Sequence, residues 1–141
     1  MKKVAIIISL ILILSVVMLT ACAPKTAEEG MDLLVANGYR AEVTTGSDVS
    51  YSKVFKAMPN IEETLLAMKG DPGQLDYEFI IAAWFESASK AKNAYNDNQG
   101  VFEQLCKSMH TTFGIPFETR VEGKVIALGT VDALNLLYDG E

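Results

Sequence analysis

Sixteen consecutive residues without a charge, a glycine or a proline, Val4 to Leu19, decide which part of this chain has to build a core. Lys2 and Lys3 precede the run, and a basic start, then a greasy stretch, then small residues is the order of a secretory signal peptide. As a helix the run would measure about 24 Å at ~1.5 Å per residue, short of the ~30 Å hydrocarbon core of a bilayer, so removal is expected rather than a permanent span. Of the 141 residues, about 120 then remain to fold, which is one domain's worth and enough to bury a core without disulfide staples.

The tetrapeptide at the end of the run, Leu19-Thr20-Ala21-Cys22, places small residues immediately before a cysteine. It resembles the lipobox of bacterial lipoproteins, a likeness confined to the first 22 residues and silent about the fold beyond them. The resemblance implies that the Cys22 thiol receives a diacylglyceryl group, that the peptide is cut between Ala21 and Cys22, and that Cys22 becomes the lipidated N-terminus on the extracytoplasmic face of a membrane. Residue 23 is alanine, and the absence of aspartate there implies no inner-membrane retention in a host with two membranes. One fatty chain binds a bilayer marginally, whereas two, at ~0.8 kcal/mol per buried methylene, hold it durably. The expected division is a signal peptide over 1–21, a lipidated start and short linker over 22–26, and a single domain over 27–141.

Processing would take away two of the 12 basic residues and none of the 18 acidic ones, leaving a formal charge of −8 on the mature chain. The remaining Lys and Arg are scattered singly from Lys25 to Lys124, so the clustered cations that displace counterions from a polyanion are missing, and nucleic acid is excluded as a partner.

Hydrophobic spacing supplies the elements. Met31, Leu34 and Val35 share a helical face that Asn37-Gly38 stops, and Tyr39, Ala41 and Val43 alternate with polar residues as in a half-buried strand ended by Gly46-Ser47-Asp48. Val54, Phe55 and Met58 suggest a short helix within 49–58, closed by Pro59. Two apolar stretches, 63–68 and 77–86, flank Asp71-Pro72-Gly73-Gln74 and predict an antiparallel hairpin, although Ile61, Leu65 and Met68 also fit a helix after Asn60. The second arm, Phe79 to Phe85, is apolar on both faces and reads as the central strand. Ser87 and Thr130 are candidate helix caps, with two consecutive helices between them, followed over 117–128 by a strand pair or a bent strand around Glu122-Gly123-Lys124. Val131, Leu134, Leu137 and Tyr138 stripe a final helix. The sum is a small two-layer α+β domain, an antiparallel or mixed sheet of about four strands with helices on one face, and a ferredoxin-like arrangement is compatible with it.

Reactive groups are few: one histidine, His110, and one cysteine apart from Cys22, Cys106. No Gly-x-Ser-x-Gly elbow, His-Glu-x-x-His helix, Cys-x-x-Cys pair or Walker-type loop occurs, so no catalytic residue is assigned and no cofactor is expected. Cys106 and His110 stand four apart on a predicted helix with Met109 beside them, a spacing that suits metal ligation but lacks the third and fourth ligands of a zinc site. The plainer reading makes Cys106 a small core residue and puts His110 at a helix end. Trp84 heads an aromatic arm and is the candidate ligand-contact residue, with core packing as its competitor. Glu62, Glu63, Asp71, Asp76 and Glu78 crowd the hairpin without the Asp-x-Asp-x-Asp-Gly order of a calcium loop. The expected function is non-catalytic binding of a protein partner or small ligand at the cell envelope, against the alternatives of a metal-handling protein built on Cys106 and His110 or an enzyme of unrecognised type.

Overall fold

A computed structural model describes residues 23–45, 53–56 and 58–140. The elements run α1 (Ala27–Ala36), β1 (Arg40–Thr45), α2 (Lys53–Lys56), β2 (Ile61–Lys69), β3 (Glu78–Phe85), α3 (Ala88–Asp97), α4 (Gln99–Phe113), β4 (Phe117–Glu122), β5 (Val125–Thr130) and α5 (Val131–Asp139). The signal-peptide run, Cys22, the Gly46-Ser47-Asp48 strand end and the first part of the expected 49–58 helix lie outside the described residues.

The five strands form one sheet in the order β1-β2-β3-β5-β4, and every neighbouring pair is antiparallel. β2 and β3 pair from Lys69↔Glu78 to Ile61↔Phe85, so the strand alternative at 61–68 prevails over the helical one. Helices α3 and α4 then carry the chain past a vacant position to β4, and β5 returns to fill the slot beside β3. The class is the α+β expected. The strand order is not ferredoxin-like, because β1, β2 and β3 form a simple meander where that fold needs a second split crossover.

Helices lie on both faces of the sheet rather than one. Ile80, Ala82 and Trp84 of β3 join Leu65, Ala67, Val125 and Ala127 beneath α1 and α5, while Ile81, Ala83 and Phe85 join Ile126 and Leu128 beneath Phe55, Ala91 and Phe102. A central strand that is apolar on both sides demands this, since a bare second face would leave Ile81 and Phe85 in water. Phe55 and Met58, from the described part of the expected short helix, are both buried there.

Packing over Trp84 and at the start of the last helix is set by two local features. In α1 the face toward the sheet is Ala27, Gly30 and Leu34, whereas Val35, expected on that stripe, is 51 % exposed. A Cβ on Gly30 would lie 3.2 Å from atoms of Leu137, Leu65 and Trp84, so the small residues let the helix sit closely over Trp84. Ser87 caps α3 as expected, accepting from the Lys90 N–H at 3.3 Å. Thr130 stands at the start of α5 but its hydroxyl turns instead to the backbone of Phe79, at 3.3 Å from the nitrogen and 3.4 Å from the oxygen.

Candidate functional site

The first described residues are bound to the domain at one end of the sheet. Thr26 accepts from the Glu29 N–H at 3.2 Å to cap α1, and the Ala27 N–H donates to Glu63 at 2.9 Å, fixing the helix start against β2. Ala23 packs on the core beneath α1, and the Pro24 carbonyl accepts the indole N–H of Trp84 at 2.8 Å. Residues 23–26, expected as a linker, are therefore part of the fold. The reason is the buried indole, whose N–H needs an acceptor inside the protein, and the chain just after Cys22 supplies it.

The same bond corrects the expectation for Trp84. Its side chain is 1 % exposed and packed among Gly30, Leu65 and Leu137, so it offers no face to a ligand. The other aromatics of that arm divide by strand alternation: Phe79 and Phe85 lie on the opposite face, and Tyr77 stacks at a tilt on Phe113, centroids 5.3 Å apart.

At this end a cavity of about 530 Å³ opens between Ala23, Pro24 and Lys25 and the β4–β5 turn, Glu122 to Val125. Lys124 pairs with Glu62 at 3.7 Å, and Lys90 bridges Glu86 at 2.6 Å and Asn60 at 3.0 Å. All are solvent-exposed pairs of small net strength, so this end carries mixed charge rather than a basic patch. The opposite end holds the 70–77 connection, where Leu75 is 93 % exposed, and Glu78, which accepts from the Tyr39 hydroxyl. Burial and, secondarily, the Asp132 charge raise the Glu78 carboxyl above its ordinary range.

Cys106 and His110 share a helix and then part. The Cys106 sulfur, half-buried, lies 3.4 Å from the Thr119 hydroxyl on β4, whereas His110 is exposed and its Nδ1 meets the Ile115 carbonyl at 2.9 Å where the chain leaves α4. Met109 packs on the core with Cys106. Among the described residues no group of three or more His, Cys, Asp and Glu side chains is placed to hold a metal ion. The hairpin carboxylates disperse in the same way: Glu62 and Glu63 stand at the Trp84 end, and Asp71, Asp76 and Glu78 at the other.

No protein-family model, curated protein or solved structure matches this chain. Among the described residues no helix is long and apolar enough to cross a membrane.

What the arrangement does bring together is a second cavity, of about 400 Å³, that sequence reasoning did not single out. Tyr95, Phe102, Glu103, Cys106 and Lys107 form one wall and Phe117, Glu118 and Thr119 of β4 the other. Tyr95 and Phe102 stack at 5.7 Å across the α3–α4 junction. The sequence held this site only as scattered residues of three elements, and their convergence depends on the crossover that sets α4 over the last-placed strand.

Proposed function

We propose that this protein is a lipid-anchored lipoprotein of the extracytoplasmic membrane face, whose domain binds an envelope protein partner or a small ligand close to the bilayer without catalysing a reaction. The reading rests on Leu19-Thr20-Ala21-Cys22. It is supported by the hydrogen bond from Trp84 to Pro24, which ties the chain to the domain two residues beyond the cysteine. Two residues span at most about 7 Å. Lipid on Cys22 would therefore hold the Trp84 end of the sheet at the headgroups, and any partner would be met next to the membrane rather than at the end of a tether.

Membrane fractionation of the full-length chain beside its Cys22→Ser variant, with mass spectrometry of the N-terminal peptide, tests this. The expected result is a diacylglyceryl mass on Cys22 and loss of membrane association in the variant. An unmodified start, or a variant that still fractionates with membranes, overturns the reading.

A further inference from the structure

The second cavity opens beside a strand that has no neighbour on its outer side. β4 is the last strand of the sheet and pairs only with β5 among the described residues. Glu122 and Val125 close the two-residue turn at Gly123-Lys124, so they form a hydrogen-bonded pair, and the alternation directs the backbone groups of Phe117, Thr119 and Val121 to the free edge. Those are donors and acceptors at every second residue, about 13 Å from first to last at ~3.3 Å per residue, and an extended chain satisfies them in order. The cavity of about 400 Å³ lies against the first half of the same edge, within the size range of side-chain and ligand pockets, and its walls are the half-buried Tyr95 ring and Cys106 thiol, with the buried Phe102 and Phe117 rings closing it from the core side.

We propose that this edge and cavity form a peptide-binding groove, in which an extended segment of a partner protein adds to the sheet as a sixth strand beside β4 and inserts a large apolar side chain between α4 and β4. This deepens, and rests on, the reading of the domain as an anchored binding module. The rim is acidic by one charge, since Glu103, Glu118 and Glu122 face Lys107 and Arg120 there; the Arg120 guanidinium is engaged by Asn135 at 2.8 Å and Glu118 at 3.2 Å, which leaves Glu103 and Glu122 to favour a segment carrying Lys or Arg. A second copy fits poorly. Two β4 strands joined about a two-fold axis run antiparallel, which turns one Pro24–Trp84 end away from the other, and two copies held by Cys22 in one bilayer need both ends down.

The test is selection of a displayed random decapeptide library on the full-length protein in detergent micelles, then affinity measurement with the enriched peptides. Enrichment of alternating sequences with a central apolar residue is expected, with at least tenfold weaker binding after N-methylation of alternate peptide amides. The same loss is expected in Thr119→Pro, which removes an edge donor that the sheet does not use, and in Cys106→Phe, which fills the cavity; Leu75→Ala at the far end leaves binding unchanged. No enrichment, binding indifferent to the methylation and to both groove variants, or a stable dimer by sedimentation that Thr119→Pro abolishes would each overturn the proposal. An unmodified Cys22 with a peptide-binding edge would instead remove the anchoring and leave the groove.

Discussion

At the scale of single residues, the indole of Trp84 joins the chain start to the core, and its worth is open to measurement. Trp84→Phe keeps an aromatic ring beneath Gly30 but deletes the donor to Pro24 and leaves a small void, so a loss of about 1–3 kcal/mol is expected in denaturant unfolding. Amide exchange at Lys25 should also quicken, because the carbonyl before it is no longer held; unchanged exchange would mean that residues 23–26 are fixed by Glu63 and Glu29 alone. Glu78 offers a second measurement. Its folded carboxyl is raised above 4.5 by burial and by Asp132, so its contribution is full below the unfolded value and is lost as pH rises through the folded one. Glu78→Gln accepts the Tyr39 hydrogen bond without the charge. Its melting temperature should exceed the native one by more at pH 7 than at pH 4, and a gap independent of pH would show that the carboxylate is not penalised.

Among the elements, β3 and β5 are pressed together at a position where only glycine fits. A Cβ on Gly129 would lie 2.5 Å from the Phe79 carbonyl oxygen and 3.0 Å from Ile80, both of the neighbouring strand. Gly129→Ala must push the strands apart where Thr130 also bonds Phe79, and a cost of about 1–3 kcal/mol by thermal or denaturant unfolding is expected, while Gly100→Ala, which meets nothing within 4 Å, should not destabilise. Periodicity made most elements legible, since Tyr39, Ala41 and Val43, the doubly apolar Phe79–Phe85 and the Leu134–Tyr138 stripe each declare their own geometry. It failed where the information is not in the spacing of large residues. The buried face of α1 is made by Ala27 and Gly30, which carry little hydrophobic signal, so Val35 was expected inside and is not. Helices on the second face were already implied by β3, but which helices cover which side is set by the α3–α4 crossover, and no local pattern encodes that. The groove beside β4 was illegible for the same reason, and spacing left Trp84 open between core packing and ligand contact because the acceptor of its indole lies 60 residues earlier in the chain.

For the whole molecule, the two ends of the sheet have different surroundings under the proposed anchoring, and this is the most direct physical consequence of the fold. The chain start, the β4–β5 turn and the start of α3 lie at the Trp84 end, while the 70–77 connection and the exit of α4 lie at the other, separated by the length of an eight-residue strand, roughly 26 Å at ~3.3 Å per residue. A bilayer reached through two residues at the first end leaves the second standing clear of the headgroups. An acidic chain offers no electrostatic reason to tip toward anionic lipid, and the end pairs Lys124–Glu62 and Lys90–Glu86 are charge-neutral, so under the proposed anchoring the tether would be the main constraint on posture. With the Trp84 end held down by the proposed anchor, the β4 edge would lead away from the bilayer, open from the side to a strand presented by a neighbour in the same envelope. A fluorophore placed at residue 124 in the lipidated protein, reconstituted in vesicles containing headgroup-quencher lipid, should be quenched severalfold more than one placed at residue 75. Equal quenching at the two positions would mean that the domain tumbles freely on its anchor, and stronger quenching at residue 75 would invert the orientation on which the accessibility of the groove depends.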